Sequence, residues 1–520
     1  MIKQISRTLL AHPLMVLCTI GLLVFICHLT TIAEYPACWL DEAMILEFGR
    51  TTLFDPNPDA SILMIPSAND KLLPTPPCFN YVFGAIQEFL YRYSGSFLCG
   101  RIFALSSIPL ASLLLFCWLR TKSIPIVTSL ITAILFLVDP NATVCAHWYR
   151  PDIWTTAFAF LVLIILSRSR NSRSSLRVGA CALAGAISAF MPFFWIASGG
   201  LLPLIAWEAL LSARTNSGVN PIKRLLRDAV VFTVAGLATV VIILTPLSPH
   251  FAGMIEFAKD SFVSNAGLVA SDTFADRACA FVKIACRSPF VWFLALLGTL
   301  VSRHHRIHAA LFALLATYIL STRVYHLRMV QLMPYLFLFA ALALEHLLAL
   351  RRGRRFVWIG LSGAILFAFA LSVVALNYAA WPVKGNTYRE FTDRLQLAAP
   401  KNLNRVYLLD AEHETYYSAR ELGWLAYAYY PHDPLFDPER SANLIDKVDA
   451  VIFSTALGSH PTEEQLDFLQ RHGLRKTGEV QMPHAQPNRI KAFLSDLFYA
   501  HGYPSCEIYT RTANGRNQER

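Results

Sequence analysis

The chain has 520 residues, 55% hydrophobic and only 15% charged, with a net charge of +10. A soluble protein carries about 25% charged residues, so with a mean hydropathy of +0.44 the composition excludes an ordinary soluble fold and points to a polytopic α-helical membrane protein. The basic residues fall in short clusters between apolar runs, which argues against a nucleic-acid surface and fits loops that stay on the cytoplasmic side.

In chain order, Lys3 and Arg7 precede an apolar run from Leu9 to Ile32. That run exceeds the 7–15 residues of a signal-peptide core and reads as an uncleaved first membrane helix. Directly after it comes Cys38-Trp-Leu-Asp-Glu-Ala-Met-Ile-Leu-Glu-Phe-Gly-Arg50. A helix starting there places Asp41, Ile45 and Phe48 on one face with Glu42 beside it. The loop continues through Pro-rich sequence to Pro77, and Cys38 and Cys78 flank it, either as a disulfide or as two free thiols. The 11 cysteines contain no CxxC pair, which argues against zinc or iron–sulfur binding. Phe79–Tyr93 carries Gln87, Glu88 and Arg92 on an otherwise apolar segment and reads as an amphipathic helix at the membrane interface.

With that segment not crossing, spans follow at 97–119, 124–138, 152–166, 178–190, 193–211, 229–245, 290–301, 309–321, 329–350 and 356–379. The 178–190 and 193–211 pair is broken at Met191-Pro192, and an amphipathic segment around Met254–Ser264 sits in the long 250–287 loop. The total is about 11 spans. Arg120/Lys122, Arg168/Arg170/Arg173/Arg177, Arg214/Lys223/Arg224/Arg227, Arg303/Arg306 and Arg351–Arg355 then all lie inside, with the N-terminus in and the C-terminus out. Counting Phe79–Tyr93 as a span breaks this alternation.

From Trp381 the character changes. Arg405–Asp410, Val448–Ser454 and Arg475–Gln481 read as short strands. Pro461–His472 reads as an amphipathic helix with Thr462 as its N-cap and Gly473 as its stop. The division expected is therefore residues 1–380 as the membrane domain, with a first outer loop at 33–96, and 381–520 as a small extracytoplasmic α/β domain. No glycine-rich phosphate loop is present in it.

Under this topology Asp41, Glu42, Arg50, Lys71, Arg101, His147, Arg150, Asp152, Arg323, His326 and Arg328 all lie in outer loops or at outer helix ends. A carboxylate pair among cations suits a reaction that deprotonates a hydroxyl and stabilises a phosphate leaving group. Each residue also has a plainer reading. Asp41-Glu42 starts a solvated helix equally well, the arginines suit lipid-headgroup contact, Lys71 suits solvation, and His147 and His326 suit an interface. Arg150-Pro-Asp152 matches an ordinary helix start with Pro at N1 and an acid in the first turn.

The order of Asp41-Glu-Ala after the first span, Pro76-Pro-Cys-Phe-Asn-Tyr81, Gly100-Arg-Ile-Phe-Ala-Leu-Ser-Ser107 and Tyr149-Arg-Pro-Asp152 resembles the GT-C superfamily of polyprenyl-phosphate-dependent glycosyltransferases. The likeness is to the branch with protein O-mannosyltransferases and lipid A aminoarabinose transferases. It covers the first 210 residues, and the overall plan extends to Ala379. The resemblance implies an active site in the first outer loop, with Asp41 as general base or acceptor-orienting carboxylate and Glu42 beside it. It adds Lys71, by its place in the loop, as a contact to the donor phosphate; the topology itself offers Arg50, Arg101, Arg150, Arg323 and Arg328 for that phosphate, with Asp152, His147 and His326 as further candidates. The family's Lys-Pro or His-Pro-Pro pattern is not reproduced around Lys71.

The function expected is a hexosyl- or pentosyltransferase that moves a sugar, with inversion, from a polyprenyl-phosphate donor to a lipid, glycan or protein acceptor of the cell envelope, lipopolysaccharide among them. It would work on the outer face of the cytoplasmic membrane. No cofactor is expected. A divalent metal has no support, because the second outer loop lacks an Asp-x-Asp or Glu-x-Asp pattern. The chain ends without a retention signal, consistent with a bacterial source. Two other readings remain open. A transporter or flippase of lipid-linked sugars requires charges at span centres and two related halves, neither of which is seen. A surface-glycan ligase or polymerase requires a long late loop rich in Arg and His, and 250–287 is only weakly so.

Overall fold

The structure, a computed structural model, describes residues 12–32, 40–54, 63–66, 72–74, 80–147, 150–213, 221–255, 273–321, 326–350, 354–381, 387–409, 414–429, 445–454, 461–483, 489–498 and 505–511. It divides into a helical unit, residues 1–30 with 101–377, and a mixed unit, residues 31–100 with 378–520.

In the helical unit, each apolar run read from the sequence contains a helix. Among the described residues five helices are long and apolar enough to cross a bilayer, and counting the bent pairs Ile126–Leu137 with Pro140–His147 and Phe274–Ala285 with Pro289–Val301 gives up to seven. Eleven spans were expected. Several of the expected spans are short: Leu202–Ala213 has 12 residues and Pro289–Val301 has 13, about 20 Å at 1.5 Å per residue against a hydrocarbon core of about 30 Å. The Met333–Ala349 helix is apolar all round and buried through most of its length, the pattern of a central helix. Its Phe337 ring meets Phe136 at 5.0 Å, and Phe160 packs against both Phe136 and Trp118.

By contrast, the Pro221–Leu244 helix leaves Ile222, Leu226, Val230, Val234, Leu237 and Val241 exposed. Their spacing of three and four residues makes one stripe along the helix, which water would not tolerate over such a length. It pairs with Ser174–Phe194 at Gly185, where any Cβ would overlap the Phe232 carbonyl. The break expected at Met191-Pro192 lies three residues later: Pro192 is inside the Ser174–Phe194 helix, and the chain turns at the extended Trp195. Of the amphipathic segment around Met254–Ser264, residues beyond 255 lie outside the described residues; the next described helix is Phe274–Ala285, capped by a reciprocal Thr273–Asp276 box.

In the mixed unit, seven strands form one sheet in the order β2-β1-β4-β3-β5-β7-β6. They are β1 (Leu63–Pro66), β2 (Leu72–Pro74), β3 (Arg405–Leu409), β4 (Leu425–Tyr429), β5 (Ala450–Ser454), β6 (Leu474–Val480) and β7 (Cys506–Arg511). β4 and β5 each pair in parallel with β3, and burial there is continuous over residues 406–408 and 450–453, as in a parallel sheet covered on both faces. The helix expected over 461–472 is Glu463–Arg471, opened by a reciprocal Thr462–Gln465 box and followed by Gly473 at φ 71°. Residues 31–100, read from the sequence as part of the membrane domain, contribute two strands to this sheet, because β1 pairs in parallel with β4 (Leu63↔Ala428). They also contribute the helices Leu40–Gly49 and Tyr81–Ser94.

Candidate active site

Asp41 and Glu42 stand in the first turn of the Leu40–Gly49 helix, at the end where the helix dipole favours negative charge. Their side chains lie outside the described residues, as do Lys71, Arg323, the His326 side chain and both Cys38 and Cys78. The far end of the same helix is well defined. Gly49 and Gly84 meet where the helix crosses Tyr81–Ser94, so closely that a Cβ on Gly84 would overlap the Ile45 carbonyl and one on Gly49 the Ala85 amide. Only glycine permits that approach.

A buried charge network closes the crossing. Arg50, in the π-helical turn Arg50–Phe54 that extends the helix, donates to Glu47 from Nε at 3.0 Å and from Nη2 at 2.6 Å. Tyr416 donates its hydroxyl to the same carboxylate. Arg420 stands 3.8 Å from Glu47 and forks onto Glu88 at 3.0 and 3.2 Å, and Arg92 reaches Glu88 at 2.7 Å. Arg420 also stacks on Tyr91 at 4.5 Å and Arg92 on Phe54 at 4.9 Å. Burial opposes the charge on Arg50 and Arg420, but the facing carboxylates outweigh it and hold both guanidinium pKa values above the ordinary value. Burial first, and then the Glu47 charge, pushes the Tyr416 phenol well above 10. Arg50, expected beside a phosphate, is thus engaged with Glu47 and fixes the helix that carries Asp41 and Glu42.

In the helical unit, Arg150 donates from Nε to Asp152 Oδ2 at 2.9 Å with both side chains about 1% exposed. Its guanidinium lies 4.3 Å over the Trp195 ring, a contact made possible by the turn at Trp195. A pocket with room for about one water opens beside Asp152, lined also by Thr155, Thr156, Trp195, Ser198 and Gln331. His147 is fully buried, donates from Nδ1 to the Thr143 carbonyl at 2.9 Å and packs edge-on against His28 at 4.6 Å. Arg101 is 1% exposed, and Arg328 is half-buried. Asp139 Oδ1 accepts from the Asn141 and Ala142 amides, and Asn141 donates to Ser288 at 3.1 Å.

These contacts join residues the loop charges put outside. A separate group joins residues put inside. Glu208 accepts from Lys122, from Arg170 at 3.1 Å and from His308 at 3.2 Å. Arg177 reaches Asp228 at 2.5 Å and the Arg170 carbonyl at 3.3 Å. Among the described residues, no three His, Cys, Asp or Glu groups gather as a metal site would need.

Sequence reasoning missed Glu47, Glu88, Tyr416 and Arg420 in one unit, and Trp195, Ser288 and Gln331 in the other. The Glu47–Arg50 and Glu88–Arg92 spacings of three and four residues were a usable helical signal. Tyr416 and Arg420 lie more than 330 residues away from their partners, and nothing local announces them.

No family model matches the chain, and no curated protein matches it. Fourteen solved chains do. One is the crystal structure of the Archaeoglobus fulgidus oligosaccharyltransferase in the apo form, at 11% identity and a TM-score of 0.47, covering 92% of this chain and 75% of that one. At that score the likeness assigns no chemistry.

Proposed function

We infer that the chain is a GT-C-like glycosyltransferase of the cytoplasmic membrane, with about 11 spans, its N-terminus inside and residues 381–520 outside. It moves one sugar from a polyprenyl phosphate to a cell-envelope acceptor. The observation that carries this reading is the acidic pair Asp41-Glu42 in the first turn of a helix whose other end is clamped by Glu47, Arg50, Tyr416, Arg420 and Glu88. A helix held that firmly keeps a carboxylate in one place, which general-base catalysis requires.

In the reaction, the acceptor hydroxyl oxygen attacks the anomeric carbon from the face opposite the phosphate. The bond from that carbon to the phosphate oxygen breaks, and the configuration inverts. The hydroxyl proton passes to Asp41, with Glu42 sustaining the local negative potential, and polyprenyl phosphate departs with the bonding pair. The loop-charge topology offers Arg101, Arg150, Lys71, Arg323 and Arg328 as candidates to neutralise it, Arg through a planar fork and Lys as a point charge. Of these, Arg150 is already oriented by Asp152 and Trp195.

The test is transfer of lipid-linked sugar in membranes carrying Asp41→Asn. Loss of at least a hundredfold in rate is expected, with unchanged expression and monodispersity. Asp467→Asn, on the exposed face of the C-terminal helix, should keep full activity. Near-normal transfer by Asp41→Asn removes the assignment.

A further inference from the structure

One end of the helical unit holds more positive charge than its own carboxylates balance. Between residues 168 and 228 the only acids are Glu208 and Asp228. Glu208 is already shared by Lys122, Arg170 and His308. Asp228 serves both Arg177, at 2.5 Å, and Arg227, at 2.9 Å. Arg224 joins the same group and donates to the Arg170 carbonyl at 2.9 Å, the oxygen that Arg177 also uses. Arg227 reaches Ser174 Oγ at 2.7 Å, which brings it to the N-terminus of the Ser174–Phe194 helix, where the dipole is positive. Arg173, immediately before that helix, is exposed, and so is Lys223, one turn before Arg227.

The surface directly beside these cations is apolar. Leu176 is 66% exposed, Ile222 65% and Leu226 60%, and the stripe continues through Val230 and Val234 along the same helix. A cationic rim at the end of an exposed apolar stripe matches one molecule in both halves: a phosphate diester at the rim and hydrocarbon along the stripe.

We propose that Arg173, Lys223 and Arg227 bind the headgroup of an anionic phospholipid whose acyl chains lie along Leu176, Ile222 and Leu226. Arg177 and Arg224, more deeply buried, set the potential behind them. The site rests on the membrane reading of the chain and not on the transferase chemistry, and it sits among the residues that the loop charges place inside.

The experiment is native mass spectrometry of the full chain in detergent, titrated with phosphatidylglycerol or phosphatidylcholine of matched acyl chains, with inorganic phosphate as competitor. The wild type should retain phosphatidylglycerol at least tenfold better than phosphatidylcholine, and millimolar phosphate should not displace it. The triple variant Arg173→Gln/Lys223→Gln/Arg227→Gln should lose that preference, while Arg173→Lys/Arg227→Lys, which preserves charge, should keep it. Equal retention of the two lipids by the wild type, or full retention by the glutamine variant, overturns the proposal. Displacement by inorganic phosphate overturns the acyl half of the site and with it the lipid as occupant. Loss of binding in the lysine variant as well shows that charge is not the determinant and overturns it too. Sugar transfer should stay near wild type in the glutamine variant, so failure here leaves the transferase reading standing.

Discussion

Glu47→Gln isolates the clamp on the helix that carries Asp41 and Glu42. The wild-type carboxylate is 2% exposed and takes both Nε and Nη2 of Arg50, the Tyr416 hydroxyl and the nearby charge of Arg420. Removing one partner of a buried ion pair costs about 3–5 kcal/mol, because the surviving charge stays desolvated. Glutamine keeps one acceptor oxygen, and Arg420 keeps its fork on Glu88, so the expectation is the low end, about 3 kcal/mol. At about 1.4 kcal/mol per decade, that is roughly a hundredfold rise in local opening. Hydrogen–deuterium exchange of the peptide spanning 40–54 reads it directly, with protection falling by about two decades and peptides of the helical unit unchanged. Tyr416→Phe removes one hydrogen bond to a charged group, about 1.5–3 kcal/mol, and the double variant should cost less than the sum. Protection of 40–54 within threefold of wild type in Glu47→Gln would falsify the view that this network fixes the helix.

Gly84→Val should separate the two helices at their crossing, since even a Cβ there overlaps the Ile45 carbonyl; expression as a trypsin-sensitive protein with transfer lost is expected, and wild-type protease resistance would contradict it. Cys506 is fully buried in β7, and burial pushes its thiol up to about 12 from an ordinary 9. It should resist maleimide at pH 7–8 until the protein unfolds, whereas the exposed Cys279 should react in the native state. The sign of the linkage follows. Below pH 8 both folded and unfolded thiols are protonated and the group adds no pH dependence. Between about pH 9 and 12 only the unfolded thiol ionises, so stability falls by up to about 1.4 kcal/mol per pH unit from this group. A denaturation midpoint flat across that range in wild type and in Cys506→Ala alike would oppose it.

The helical plan was legible because apolar length is a strong signal, and β3, β5, β6 and the capped helix because short apolar runs and the Thr462–Gln465 spacing are local; β4 and β7 were not read. The pairings of Lys122 with Glu208, Arg177 with Asp228 and Arg150 with Asp152 were not read from the sequence, because loop charges assign a side of the membrane and not a partner. Span lengths were uneven in legibility: 290–301 was read at nearly its true length, but hydropathy does not show that the 193–211 run divides into a 3-10 turn at Ile196–Leu201 and a helix of only 12 residues at Leu202–Ala213. The break after Pro192 was misplaced because proline disturbs the hydrogen bond four residues back, and here neighbouring helices tolerate it. The charge clamp was invisible for a different reason. Its halves come from opposite ends of the chain, and a buried Glu–Arg–Tyr set has no periodicity to betray it. Arg50 could therefore be picked out as a functional cation but not as one engaged by Glu47.

The clamp also sets a clock on biosynthesis. Glu47 waits for Tyr416, 369 residues later, and β1 waits for β4 to pair with. At about 5–20 residues per second, roughly 20–70 s separate synthesis of the acidic helix from synthesis of the groups that hold it. During that interval the first loop has left the ribosome with Glu47 and Glu88 held only by the local Arg50 and Arg92 and with β1 lacking β4, while the intervening helices are still being inserted. The Leu40–Gly49 helix gains its Tyr416 and Arg420 contacts only once nearly the whole chain exists, so a truncated or stalled product carries that helix with half of its clamp.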